Sequence, residues 1–165
     1  MTADKVFNVL FLCTHNSARS ILAEAIMNSA GQGRFKGFSA GSMPGTAPNP
    51  FALQTVKSLR IKTDGLYSKD WSVFAKPDAP VMDFVFTVCD NAAGEVCPVW
   101  PGQPITAHWG VEDPSLFNGT DEQKRREFAQ VASILKRRID FLTSLPVAKL
   151  DRLALERRVR QIGKQ

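Results

Sequence analysis

Tyrosine occurs once in this 165-residue chain, at Tyr67, and cysteine only three times. Three is an odd number, so a complete set of structural disulfides is not expected, and a few cysteines in a reducing compartment point to catalysis or metal binding. Zinc-ligand spacing is missing as well. Cys89 and Cys97 have seven residues between them and no second pair to complete a site, where a zinc knuckle needs about two to four. No apolar run is long enough to cross a bilayer. Val6–Leu12 is short and broken by Asn8, against the roughly 20 residues a spanning helix requires. No small-residue cleavage site follows it, so a signal peptide is not expected and the expected compartment is the cytoplasm. There is no internal repeat, no low-complexity tract, and no linker before residue 143.

Acidic charge is what the last quarter of the chain lacks. Residues 124–165 hold 12 Lys or Arg and 4 Asp or Glu, whereas residues 1–123 hold 9 and 12. Such a basic run is one signature of nucleic-acid binding. Here it falls on two amphipathic segments and reads as solvated faces, so neither nucleic acid nor membrane is expected as a partner. Apolar residues at 44% and charged residues at 22% suit a globular protein with an ordinary core. The length suits one domain. The expected division is a domain over residues 1–145 and a basic, helical tail over 146–165, separated at Pro146. Leu150, Leu153, Leu155, Val159 and Ile162 do not form one clean stripe in the tail, which is expected to be dispensable for activity.

Strands are expected at Val6–Leu12, Phe35–Ala40, Asp83–Val88 and Ile105–Trp109, from their apolar, β-branched and aromatic content. Helices are expected at Ala18–Ala30, at Pro50–Leu59 behind an Asn49 cap, and at Asp121–Leu142. This alternation implies an α/β fold, a four-stranded parallel sheet with helices on both faces. Ligands of such sheets bind beyond the carboxyl ends of the strands. Cys13, Cys89 and Asp113 all stand at such ends and should gather on one edge.

After the first strand the chain reads C-T-H-N-S-A-R-S. A turn from strand to helix aims several backbone N–H groups at one point and favours a bound oxyanion. The same field should lower the pKa of Cys13. Arg19 can grip two oxygens of a tetrahedral anion. Ser20 can donate to the Cys13 sulfur, and the small Ser17 and Ala18 let the loop curl. With three cysteines and eleven arginines, the Cys–Arg spacing alone arises by chance about 0.2 times in such a chain, and a following Ser or Thr lowers that to about 0.02.

This loop resembles that of the low-molecular-weight protein tyrosine phosphatases, and more closely that of the arsenate reductases sharing their fold, over about residues 5–143. The resemblance implies that Thr14, His15, Asn16, Ser17, Ala18, Arg19 and Ser20 bind substrate, with Cys13 as nucleophile and Arg19 as clamp. His15 stands where relatives often carry glycine. In W-G-V-E-D-P, Pro114 restricts the backbone of Asp113 and so fixes the direction of its carboxyl group. Such a carboxylic acid beside the oxyanion can protonate a leaving oxygen. The resemblance makes Asp113 the general acid, with Glu112 a lesser candidate. It further implies a thiol relay, in which Cys89 resolves the Cys13 adduct and Cys97 resolves Cys89. Known relays of this kind have six residues between these thiols; this chain has seven. If residues 90–96 were helical, the two Cα atoms would stand roughly 12 Å apart, beyond disulfide reach, so the segment would have to unwind around Ala92, Ala93 and Gly94.

The implied substrate is arsenate, with phosphate or sulfate as competing oxyanions. The implied electron donor is thioredoxin, or else glutathione with glutaredoxin. No tightly bound cofactor is expected. The resemblance places Asn16, Glu24, Ser39, Ser68 and Asp70 where some relatives bind potassium, the simpler reading being surface hydrogen bonding. Two other functions are compatible with the loop: a tyrosine phosphatase, and a non-catalytic oxyanion-binding regulatory protein.

Overall fold

Strand β1, Phe7–Cys13, runs through the middle of a four-stranded parallel sheet in the order β2-β1-β3-β4. The computed structural model describes residues 5–89 and 100–165. In it β1 is followed by α1 (Arg19–Ala30), β2 (Phe35–Gly41), α2 (Pro50–Ser58), β3 (Phe84–Thr87), β4 (Ile105–His108), α3 (Asp121–Ser144) and α4 (Arg152–Ile162). The expected elements are present, with ends moved by one or two residues. Among the described residues, no helix is long and apolar enough to cross a membrane.

Val9, Leu10, Phe11 and Leu12 are fully buried, because a central parallel strand is covered on both faces and has no polar side. The one interruption, Asn8, lies at the strand's entrance. Its N–H donates to Asp83 Oδ2 at 2.8 Å and its Nδ2 to the Val81 carbonyl at 2.8 Å. Asn49 caps α2 by accepting from the Phe51 N–H at 2.8 Å, with Pro50 in the first turn. Thr120 and Gln123 form a reciprocal capping box on α3.

Val9, Phe11 and Phe86 face a large core closed by the four described α-helices. Leu10, Leu12 and Val85 face the other way, against Met82, Trp100 and Phe74 of a 3₁₀ turn at Trp71–Phe74. Helical segments therefore flank the sheet on both faces.

The C-terminal segment is part of the large core. Its stripe becomes visible once Leu150 and the exposed Leu153 are set aside: Leu155, Val159 and Ile162, at i, i+4 and i+7, are buried. They cover Trp109, which stacks on Phe86 with ring centroids 4.0 Å apart and donates from Nε1 to the Val159 carbonyl at 2.9 Å. A Cβ at Gly163 would collide with the His108 carbonyl oxygen, so this close approach of the helix end to β4 requires glycine. The basic residues of 124–165 do lie mostly on solvated faces, with one exception. Arg138 of α3 is buried and donates to the carbonyls of Trp109 (2.9 Å), Gly110 (3.1 Å) and Gln165 (3.1 Å).

This packing makes the tail's removal costly. Each buried Leu, Val or Ile contributes about 1.5–3 kcal/mol, so deleting residues 147–165 should destabilise the protein by several kcal/mol. Trp109→Ala should cost about 3–5 kcal/mol. Urea denaturation of both variants measures this; an unchanged midpoint for the truncated chain would show that α4 is not a structural part of the domain.

Candidate active site

Cys13 closes β1 and the loop from Thr14 to Ala18 carries the chain into α1. The curl of this loop turns on Asn16, which is fully buried and left-handed at φ +48°. Asparagine tolerates that region better than most residues, and three hydrogen bonds hold it there or use it. Its Nδ2 donates to Ser20 Oγ at 2.8 Å, its Oδ1 accepts from the Lys69 N–H at 3.0 Å, and its carbonyl accepts from Ser68 Oγ at 2.7 Å. Gly41 at the end of β2 completes the fit, since a Cβ there would press on the Thr14 carbonyl and the Asn16 nitrogen. On the loop's outer side, the carbonyls of Thr14, His15 and Ser17 accept from the N–H groups of Met43, Gly45 and Asn49 at 2.8–3.0 Å. Ala18, the residue before α1, offers no side-chain cap to the helix's first N–H groups, which suits an end that receives an anion. His15 is exposed and its Nδ1 lies 3.1 Å from the Met43 carbonyl, fastening the loop's rim.

Arg19 reaches across the sheet edge. Its guanidinium donates to the Val111 carbonyl at 3.1 Å and lies 3.3 Å from Asp113 Oδ2. The other carboxylate oxygen, Asp113 Oδ1, accepts from the Ser115 N–H (2.9 Å) and hydroxyl (2.6 Å). Glu112 is exposed. Arg138, through Trp109 and Gly110, anchors the segment that leads to Asp113.

Cys89 lies just past β3 and is buried, as is Cys13. Its Sγ is 3.6 Å from Thr14 Oγ1, and it stands near enough to Cys13 to perturb that thiol. The expected lowering of the Cys13 pKa is reversed in this arrangement. The hydrogen bond to Cys89 and burial push the Cys13 thiol up from its ordinary value, against the pull of the Arg19 charge and the Thr14 N–H. The cradle and the arginine act in one direction and the second thiol in the other, and only the first two are visible in the loop's own sequence. Cys97 and the 90–96 segment lie outside the described residues.

Asn16, Glu24, Ser39 and Ser68 do come together, around the side chain and backbone of Lys69. The Lys69 ammonium donates to the Ser39 carbonyl at 3.0 Å and lies 3.8 Å from Glu24 Oε1, which Ser39 Oγ also donates to. Burial pushes Glu24 up and Lys69 down from their ordinary values, each against the attraction of the other. Asp70 is turned elsewhere, accepting from the Ser72 N–H at 2.8 Å. A potassium ion does not fit among these oxygens while the ammonium is there. No group of three or more His, Cys, Asp or Glu suited to a metal occurs among the described residues. Lys69, Gly41, Ser115 and Arg138 were not picked out from the sequence. Only the interruption of apolar pattern at Arg138, on the inner face of a helix, carried a signal.

The sequence matches the family model described as low molecular weight phosphotyrosine protein phosphatase over residues 8–155. It is similar to the arsenate reductase of Halalkalibacterium halodurans, with 34% identity over 133 residues, covering 79% of this chain and 91% of that protein. The arsenate reductase of Bacillus subtilis is 31% identical over 131 residues, with the same shares covered. Among solved structures, an arsenate reductase in a phosphate-binding state is similar at a TM-score of 0.68 and 28% identity, over 84% of this chain and 98% of that one.

The contact between the thiols predicts a pH effect. A raised Cys13 pKa means less thiolate, and slower alkylation, near neutral pH. Cys89→Ala removes the largest cause of the rise, so the pH midpoint for iodoacetamide alkylation of Cys13 should move down. A midpoint that stays or rises would show that Cys89 does not control Cys13.

Proposed function

As the chain belongs to the low-molecular-weight phosphotyrosine protein phosphatase family, we propose that it is an arsenate reductase built on that family's fold. One observation carries the reading: a second buried thiol, Cys89, beside the loop cysteine at the same edge of the sheet. Hydrolysis of a phosphate ester uses water as the second attacker and gains nothing from Cys89. Reduction of arsenic needs two electrons, which two thiols supply by becoming a disulfide. The similarity to arsenate reductases over most of their length supports the same reading.

In the proposed cycle arsenate enters the Thr14–Ser20 loop and takes up the Arg19 guanidinium in a bidentate grip. It draws Cys13 away from Cys89, which lifts the brake on forming the thiolate. Cys13 then attacks arsenic, and the departing oxygen leaves as water with a proton from Asp113. Developing charge is met by Arg19 and the loop's N–H groups. Cys89 next attacks the Cys13 sulfur. The sulfur–arsenic bond pair goes to arsenic, which leaves as arsenite, and a Cys13–Cys89 disulfide remains. Cys97 attacks Cys89, frees the Cys13 thiol and leaves a Cys89–Cys97 disulfide. An external dithiol closes the cycle by exchange. Thioredoxin is the first choice, because intramolecular disulfides are its usual substrates, and glutathione with glutaredoxin is the second.

The second reading is phosphatase activity, which Cys13, Arg19 and Asp113 are enough to support. The two separate in variants. Cys13→Ser should abolish arsenite production while phosphate still binds. Asp113→Asn should slow turnover by about 10²–10⁴-fold. Cys89→Ser should stop arsenate reduction at or before one equivalent yet leave any hydrolysis of aryl phosphates intact, and Cys97→Ser should stall after about one turnover. Arsenite release with each reductant in turn checks these outcomes. Sustained turnover by Cys89→Ser would refute the relay, and rapid aryl phosphate hydrolysis by an enzyme that never reduces arsenate would favour the phosphatase.

A further inference from the structure

The Lys69 side chain is 8% exposed, and its ammonium lies between helix α1 and strand β2. It donates to the Ser39 carbonyl of β2 at 3.0 Å and faces Glu24 of α1 at 3.8 Å. The Tyr67 ring roofs it, with the nitrogen 4.3 Å from the ring centroid. The backbone of the same residue works on the loop. Its N–H donates to Asn16 Oδ1 at 3.0 Å, and its carbonyl accepts from the Gly41 N–H at 2.9 Å. Ser68, its neighbour, donates to the Asn16 carbonyl at 2.7 Å. Asn16 in turn donates to Ser20.

We infer that Lys69 is a positioning residue whose ammonium serves as the resident cation of the active site. It occupies the place a monovalent metal ion would need, and through its backbone it holds Asn16 and the oxyanion loop in their curled form. Three observations point the same way. A buried ammonium with a carboxylate, a carbonyl and an aromatic face around it has the surroundings that a bound cation needs. The oxygens that would serve potassium, on Glu24 and Ser39, are engaged by the lysine. The residue carrying the charge is also the residue that grips the left-handed Asn16. The charge fixes the stem, the stem fixes the backbone at 69, and that backbone fixes the loop. Potassium would then be unnecessary, since the chain supplies its own positive charge.

This inference rests on the reading of the Cys13 loop as an oxyanion site, so its test includes binding as well as turnover. Phosphate affinity by calorimetry and arsenate reduction are compared in wild type, Lys69→Ala and Lys69→Met. Each is measured in potassium chloride and in choline chloride at equal ionic strength, which removes screening as a variable. Wild type should be indifferent to the exchange of salts. Lys69→Ala should lose about 10–100-fold in choline chloride, the scale expected when a loop is displaced by about an ångström. It should regain most of the loss in potassium chloride, where the ion can enter the space left by the lysine. Lys69→Met fills that space without charge and should be impaired in both salts. Wild-type phosphate affinity that rises with potassium would overturn the inference. So would an unimpaired Lys69→Ala, or a folded Lys69→Ala whose loss potassium does not reduce. If the alanine variant does not fold, full phosphate affinity in Lys69→Met overturns it. If wild type binds no phosphate in either salt, the oxyanion reading itself fails and this inference falls with it.

Discussion

Asn16 is held in a left-handed conformation by contacts from three separate parts of the chain, and the geometry of the site depends on that restraint. With φ at +48° the chain turns sharply enough to pass from the end of β1 into α1 within five residues. The restraint comes from Ser68 and Lys69 on one side and Ser20 on the other. Gly41 allows β2 to lie against the turn without a Cβ in the way. Strain at one buried residue is affordable only because the surroundings over-determine it. Release of these contacts would leave Cys13 on its strand and Arg19 on its helix, without a shared focus.

In the proposed cycle, the two thiols and the Arg19–Asp113 pair, placed against that loop, divide the chemistry between them. Arg19 connects the Thr14–Ala18 loop to Asp113 through an ion pair and to the Val111 carbonyl beside it. In the proposed cycle Cys89, beside Cys13, connects the loop to the redox step. The contact has an energetic consequence, since it disfavours the Cys13 thiolate until something else claims the sulfur. In the proposed cycle that something is the substrate, so the reactive thiolate appears when an oxyanion is present to use it.

Much of this was legible in the sequence, for physical reasons. Apolar runs such as Val9–Leu12 announce a strand buried on both faces, and the C-T-H-N-S-A-R-S spacing announces an anion cradle at a strand-to-helix turn. The parallel sheet follows from the alternation of strands and helices, and the sheet-edge rule gathers Cys13 and Cys89 on one edge. What escaped was whatever depends on a side chain's partners rather than its own type. Lys69 lies between two residues considered as ion ligands, yet nothing local says that its ammonium points inward. The stripe of α4 was hidden by Leu153, an exposed leucine at the wrong phase. The direction of the Cys13 pKa shift was misread because a cradle and an arginine lower it, whereas a touching thiol and burial raise it, and the sequence does not weigh them.

The central claim is that the Cys13–Cys89 contact is a route for electrons to arsenic. Its most direct test uses wild-type protein, fully reduced, freed of all thiol reagents and mixed with a single equivalent of arsenate. Arsenite is then quantified, and the disulfides are mapped by mass spectrometry after acid quenching at successive times. The account predicts one arsenite per chain, an early Cys13–Cys89 disulfide, and its replacement by Cys89–Cys97. Arsenate recovered unchanged with all three thiols free, or arsenite formed while Cys89 stays reduced throughout, would contradict it.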